Sequence, residues 1–291
     1  MLRGNMLKTG FIGAGTVGTA LAVLLSRKDY RVTVVYDLKQ ESSLKLAQRI
    51  EGCRAAANAR EVADSADIIF ITTPDAAITK VVDRVTWREG TGVIHCSGAD
   101  STDILEPARK LGAMVGGFHP LQSFASVEQA IENLPGSTFA LEAEGPLLTT
   151  LKTMAGALGG DWIKLKAGDK AAYHAAAVFA SNYLVTLVKM ATDLWQTFSV
   201  PNDQATKALL PLIRGTLHNI ETIGIPQCLT GPIARGDART VAKHLKTIKE
   251  KTPSLLFPYK ELGLQTVPIA LSKGKISRKQ AGELEILLKS N

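Results

Sequence analysis

The sequence predicts an α/β domain of parallel strands and crossover helices, followed by an all-α domain. Three observations carry that prediction. Short β-branched runs alternate with helical stretches from Lys8 to about Leu165, the pattern of strands joined through helices. From Lys166 to Asn291 the apolar spacing is helical and strand runs almost vanish. Finally, 291 residues exceed what one hydrophobic core usually organises, so the boundary is drawn as 1–165 and 166–291.

In order, the strand candidates are Thr9–Ile12, Val32–Tyr36, Ile68–Thr72, Gly92–His95, Met114–Gly117, Thr138–Leu141 and Trp162–Leu165. Helical stretches such as Val17–Ser26, Glu41–Ile50 and Thr102–Leu111 lie between them. In the second half, helical pieces are expected at 170–198, 202–223, 237–250, 254–263 and 276–289, with breaks at Pro201, Pro226, Pro232, Pro253 and Pro268. The most apolar window, Ala175 to Ala191, contains Ser181, Asn182 and Lys189 and falls short of the roughly 20 apolar residues of a bilayer span. It reads as a buried core helix.

With 45% hydrophobic and 21% charged residues, the composition is that of a soluble globular protein. The net charge of +7 comes from scattered Lys and Arg with few aromatics among them, which argues against a nucleic-acid partner and for a mild field attracting anionic ligands. Cys53, Cys96 and Cys228 have neither disulfide arithmetic nor metal-ligand spacing, so no metal is expected. The start, Met1 to Leu7, is too short and polar for a signal core, so the expected setting is cytoplasmic, away from membranes.

Gly13-Ala14-Gly15-Thr16-Val17-Gly18 follows the first strand and opens the first helix, the context in which a GxGxxG run is informative. Gly13 permits the tight turn, Gly15 lets the backbone approach a pyrophosphate, and Gly18 allows close helix–strand packing, while the free N–H groups of the helix start attract phosphate. Asp37 ends the second strand nineteen residues after Gly18, where an acid accepts hydrogen bonds from an adenosine ribose. The first domain therefore reads as an α/β Rossmann domain that binds NAD or NADP. The acid tilts the choice to NAD, whereas Lys39, Ser42 and Ser43 leave room for a 2′-phosphate. Thr73 and Pro74, after the strand ending at Thr72, are expected to line the cofactor.

His95-Cys96-Ser97-Gly98 and Gly116-Gly117-Phe118-His119-Pro120-Leu121-Gln122-Ser123-Phe124 follow the next two strands and emerge at the same sheet edge. Hydride transfer at a carbon bearing O or N needs a proton donor or acceptor, and His119 is the first candidate; His95, inside its strand, reads as structural. Ser97 would hydrogen-bond the reacting atom and also touch the cofactor. Lys170, His174 and Ser181 fall within about 40° of one another on a helical wheel, with Asn182 at the edge. Lys170 in a first helical turn favours an anionic substrate group. Gln122, Ser181, Asn182 and Arg235 complete the candidate substrate contacts, Arg235 lying in the turn-rich Thr230–Asp237 link.

These segments resemble the 6-phosphogluconate-dehydrogenase-like superfamily over the whole chain. Within it the chain is similar to uncharacterised bacterial proteins that pair a Rossmann-like domain with a helical C-terminal domain of unknown function. The carriers are His95–Ala99, His119–Phe124, Tyr173–Ala177 through Ser181-Asn182, and Leu229–Asp237. The resemblance implies an all-α, 6-phosphogluconate dehydrogenase C-terminal-like second domain entered through a long central helix, and a homodimer. By likeness to β-hydroxyacid dehydrogenases it assigns Lys170 and, at the position of an Asn, His174 to the substrate. By likeness to prephenate dehydrogenases it assigns Ser97 and His119 to catalysis, Gln122 standing where a Gly is usual.

The expected function is hydride transfer between nicotinamide and a small, anionic hydroxy or imine compound in an interdomain cleft, with Lys170 and His174 orienting the substrate. The alternative is a non-catalytic NAD(P) sensor whose helical domain binds a partner. Substrate, reaction direction and use of a deazaflavin partner are not legible in the residues.

Overall fold

The computed structural model describes residues 7–290, so the reading of Met1 to Leu7 lies, Leu7 aside, outside the described residues. The chain divides into two compact units, one ending at Ser181 and the other beginning at Asn182.

The first unit is built on an eight-stranded sheet of order β3-β2-β1-β4-β5-β6-β7-β8. Its first half is β1 (Lys8–Ile12), α1 (Thr16–Ser26), β2 (Arg31–Tyr36), α2 (Gln40–Ala47), β3 (Arg54–Ala55), α3 (Ala59–Ser65), β4 (Ile68–Ile71) and α4 (Asp75–Arg84). The two-residue β3 carries no periodic signal of its own and pairs only with Val34 and Val35. The order reverses direction between β1 and β4, which opens the crevice where open α/β sheets bind ligands.

The second half of the sheet unit adds β5 (Gly92–His95), α5 (Glu106–Lys110), β6 (Met114–Pro120), α6 (Val127–Asn133), β7 (Thr138–Glu142), α7 (Gly145–Ala157), β8 (Asp161–Lys164) and α8 (Asp169–Ala180). One expectation is corrected here: β7 runs antiparallel to β6, and β8 runs with β7. The physical reason is length. The seven-residue α6 covers about 10 Å, less than half of the roughly 23 Å of the seven-residue β6, so it cannot carry the chain back along the strand. β7 therefore starts beside the end of β6, Phe139 opposite Pro120.

Both faces of the sheet are covered, one by a core including Phe11, Leu21, Phe70, Phe118 and Phe139, the other by a core including Val62, Ile69, Ile71 and Ile78. Phe11, Phe70, Phe118 and Phe139 run in series across the strands with ring centroids 5.2, 5.7 and 4.6 Å apart.

The second unit is helical: α9 (Asn182–Gln196), α10 (Asn202–Ile223), α11 (Ala238–Lys251), α12 (Leu256–Ser272) and α13 (Arg278–Lys289). Asp237 caps α11 by accepting from the Thr240 N–H, and Ser277 with Gln280 forms a capping box on α13. Val241, Val267, Ala270, Leu284 and Leu288 form its core. Pro268 does not end a helix as expected; α12 continues through it, because buried Val267 and Ala270 on either side hold the backbone helical.

Two readings of 170–198 are also corrected. The stretch is two helices, broken at Ser181 (φ −116°, ψ −68°), in place of one long central helix. It is not a buried core helix either. Asp169–Gln196 is, among the described residues, the one stretch long and apolar enough to cross a membrane, and none of its apolar window is buried within the chain. Helical periodicity reveals an apolar face but not whether the same chain covers it.

Candidate active site

The glycine loop is shaped by steric necessity. Gly13 sits at φ +112°, and a Cβ there would lie 2.7 Å from the Thr72 carbonyl carbon. At Gly18 a Cβ would meet the Gly13 carbonyl oxygen at 2.3 Å, so α1 packs on the loop only with glycine in place. Gly15 differs: no atom lies within 4 Å of its would-be Cβ, so its surface is open to a ligand. Gly15 is also the N-cap of α1 and provides no side-chain acceptor for the N–H groups of the first turn, Thr16, Val17 and Gly18.

Around this loop lies a cavity of about 470 Å³ lined by Gly13, Ala14, Gly15, Asp37, Thr73 and Pro74 among others. The buried Thr73 hydroxyl, in a residue lining it, has no hydrogen-bond partner. An open glycine, an uncapped helix start and an orphaned hydroxyl at one sheet crevice fit a dinucleotide diphosphate. Asp37 is held in place by the Ala14 N–H at 2.7 Å and the Lys39 N–H at 2.8 Å, leaving further lone pairs on both carboxylate oxygens. Lys80 and Arg84, which the sequence reading missed, line the same cavity with Lys39 and Ser42. Ala77, Lys80, Val81 and Arg84 share one face of α4, a spacing visible in the sequence once a helix after Pro74 is granted.

Farther along the same edge, α8 brings three side chains against the ends of β5 and β6. Lys170 is 1% exposed, and its ammonium donates to the Ser97 carbonyl at 2.7 Å in place of reaching solvent. Burial pulls its pKa down, against Glu142, Cys96, Asp100 and Asp75, which pull it up. One turn on, the Tyr173 hydroxyl lies 2.7 Å from His119 Nδ1, with the two rings edge to face. The His174 ring sits 6.3 Å from that of His119. Burial, then the Lys170 and His174 charges, lower the His119 pKa to about 4, while burial raises Tyr173 to about 12.

Gly98 completes the cluster. A Cβ there would lie 2.6 Å from His174 Cδ2 and 2.8 Å from His119 Nε2, so only glycine leaves the ring nitrogen uncovered. Tyr173 and Gly98 were not among the expected site residues, although both lie in the segments His95–Ala99 and Tyr173–Ala177 that carry the resemblance. The buried Glu142, also missed, anchors the loop after β5: its Oε1 accepts from the Ser101 hydroxyl and from both the N–H and the hydroxyl of Thr102. His95 is fully buried, accepts from the Ser97 N–H through Nδ1, and is pulled down to about 3 by burial, which fits its expected structural part.

Other candidates are placed differently. The Ser97 hydroxyl donates to Asp100 and accepts from the Ala99 and Asp100 N–H groups, so it shapes its own turn, and Ser97 does not line the dinucleotide cavity. The Gln122 amide donates to the Asn133 carbonyl and its oxygen accepts from the Ser123 N–H, bracing the loop after β6. Ser181 closes α8. Asn182 opens α9, and Arg235 ends a 3-10 turn, Ile233–Arg235; both belong to the second unit.

The chain matches the Rossmann-like domain family over residues 1–120 and, over residues 137–266, the DUF2520 family, a domain of unknown function. It is a Rossmann-like domain joined to a DUF2520 domain. The likeness read in the sequence is thereby borne out, including the helical domain of unknown function. Among solved structures, BF3122 from Bacteroides fragilis, a proposed NADP oxidoreductase, is 25% identical with a TM-score of 0.72, covering 90% of this chain and 98% of that one. TM1727 from Thermotoga maritima is 24% identical with a TM-score of 0.74, covering 91% and 99%. A reductive aminase from Aspergillus terreus, in complex with NADPH and ethyl-5-oxohexanoate, shares the fold at 13% identity and a TM-score of 0.63, covering 97% and 92%. No curated protein matches the chain. The chain thus shares its fold, a Rossmann sheet followed by a helical domain, with those neighbours.

Proposed function

We propose that this protein is an NAD(P)-dependent oxidoreductase acting on a small carbonyl, hydroxy or imine compound. The observation that carries the reading is the placement of a ligand-open glycine loop and an uncovered His119 Nε2 along one edge of one sheet. A bound nicotinamide supplies or accepts the hydride. The residues of the chain do the rest: Gly15 and the first turn of α1 hold the diphosphate, Asp37 meets the ribose, and His119 holds or moves the proton at the reacting O or N. Lys170 fixes the Ser97–Gly98 segment against α8, which positions His119. The names of the structural neighbours, NADP oxidoreductase and reductive aminase, point the same way.

Within this reading the cavity favours the phosphorylated cofactor, against the tilt read from Asp37 alone, since Lys39, Lys80 and Arg84 face a single carboxylate. A charge-assisted hydrogen bond contributes about 1.5–3 kcal/mol, and about 1.4 kcal/mol is tenfold in affinity. Calorimetric titration is expected to show NADPH binding, weakened at least about tenfold in a Lys80→Ala/Arg84→Ala variant while NADH binding stays nearly unchanged. Equal losses for both cofactors would remove the phosphate assignment. No heat with either cofactor would remove the oxidoreductase reading.

The apolar face of α9 and α10 is the proposed seat of a second copy of the chain. Val185 on α9, Leu212, Leu217 and Ile223 on α10, and Phe198 between the two helices are each at least half exposed, large apolar side chains of the kind that mark an interface. Lys189 and Asp193, paired along α9, disfavour burial of that helix in lipid. Light scattering is expected to give twice the 31.1 kDa chain mass at micromolar concentration, and a Val185→Glu/Leu212→Glu variant to give that of one chain. A monomeric wild type, or one that partitions onto neutral vesicles, would refute the pairing.

A further inference from the structure

We infer that Tyr173 is a positioning residue that fixes His119 in the tautomer carrying its proton on Nε2, so that the site presents a neutral hydrogen-bond donor to whatever it receives. The group placed opposite His119 is then an acceptor: a carbonyl oxygen or an unprotonated imine nitrogen, not a protonated iminium. The substrate-class consequence rests on the oxidoreductase reading; the tautomer assignment does not.

The geometry decides between the two neutral forms by satisfying donors. Among the described residues the Tyr173 hydroxyl meets no acceptor except His119 Nδ1, at 2.7 Å. If Nδ1 carried the proton, the ring would donate to the phenol oxygen and the phenol O–H would be left without an acceptor in a partly buried site. If Nε2 carries it, the phenol donates to the unprotonated ring nitrogen and both groups are used. The other end of the ring is kept clear. Nε2 has no hydrogen-bond partner among the described residues, and Gly98 is the residue whose missing Cβ leaves it uncovered. The imidazole is kept neutral by its surroundings, since burial first, and then Lys170 and His174, disfavour a positive charge there.

The three α8 residues act as one device. Lys170, Tyr173 and His174 occupy positions i, i+3 and i+4, so they share a face. Lys170 pins the Ser97 carbonyl, which holds Gly98 beside the ring, while Tyr173 orients the ring from the opposite nitrogen. A tyrosine in this place does what a carboxylate or backbone carbonyl does for many functional histidines, but with the opposite sense: it donates, and so sends the ring proton outward.

The test uses the full chain labelled with nitrogen-15 and long-range proton–nitrogen correlation spectra of its five histidines. His119 is assigned by its disappearance in His119→Gln. At pH 7 the expected result is a protonated, pyrrole-like Nε2 and an unprotonated Nδ1 carrying the shift of a hydrogen-bonded acceptor. In Tyr173→Phe, which keeps the ring contact, that acceptor shift is lost and the two nitrogens move toward the exchange average of free imidazole. His95, buried in the same sheet unit with Nδ1 accepting from the Ser97 N–H, keeps its signals and reports intact folding there, and the second histidine–tyrosine pair, His244 with Tyr259, does so for the helical unit. A wild-type His119 protonated on Nδ1, doubly protonated at pH 7, or indifferent to Tyr173→Phe overturns the proposal. Failure of NADPH and NADH to bind would instead remove the redox reading and leave the tautomer result standing.

Discussion

Replacing His119 by alanine is expected to slow turnover by about 10²–10⁴-fold, the usual contribution of a positioned proton donor or acceptor. Affinity for the dinucleotide is expected to hold, since His119 is not among the residues lining the cavity by the glycine loop. The pH dependence sharpens the test. An ordinary histidine titrates near 6.5, but burial together with Lys170 and His174 brings His119 down to about 4. Activity that depends on the protonation of this ring is therefore flat across the range near pH 6.5 and changes only as pH approaches 4. An inflection in kcat/KM near 6.5 that vanishes in His119→Ala would show a solvated imidazole and refute the site. Stability follows the same sign. Between pH 6.5 and 4 the unfolded chain binds a proton at His119 that the folded chain refuses, so stability falls as pH falls through that window. His95, brought down to about 3, adds a second proton of the same sense. Melting temperature should thus fall steadily from pH 6.5 to 4, less steeply in His119→Ala.

Lys170→Ala is expected to be the most damaging single change to the sheet unit. It removes a buried side chain of large volume, leaves the Ser97 carbonyl without its donor, and opens a cavity beside His95 and Glu142. A cavity and an unsatisfied buried acceptor together cost about 3–5 kcal/mol, which for a domain of this size lowers the melting temperature by on the order of 10 °C. Lys170→Met restores the volume without the charge. Because burial already pulls the ammonium pKa down, methionine should recover most of the stability. It should not recover activity, because the Ser97–Gly98 segment loses its tether to α8. If Lys170→Met restores both, the ammonium is not what holds the segment, and the positioning role fails. If Lys170→Ala melts like wild type, the burial of this lysine in solution is refuted.

The strand–glycine–helix start was legible from the spacing of its glycines between a strand run and a helical run, and the structure supplies the reason for two of them: a Cβ at Gly13 or Gly18 would collide with the loop or with Thr72. The strand end at His95 was legible because a short β-branched run stops there, whereas the next strand, expected to end at Gly117, continues to Pro120 and holds His119 within it. The reversal at β7 was not, because a strand has the same pattern in either direction and only the reach of α6 decides it. The shared face of Lys170 and His174 was visible in the spacing, yet spacing carries no sign for depth. It pointed to a lysine offered to an anion, where the fold places a lysine spent on a backbone carbonyl. Ser97 likewise has the right chemistry in the right loop, but its hydroxyl is consumed three residues away.

By itself the sequence determined the two-part architecture, the glycine loop after the first strand, and the identity of the side chains near the sheet edge, because those depend on local spacing and hydrophobic period. Only the tertiary structure decided which nitrogen of His119 is engaged, that Gly98 leaves the other one bare, and that Lys80 and Arg84 join the cavity of the glycine loop. Those facts arise from residues far apart in the chain meeting at one edge. No local rule encodes such a meeting; it follows from how eight strands and the helices on them pack.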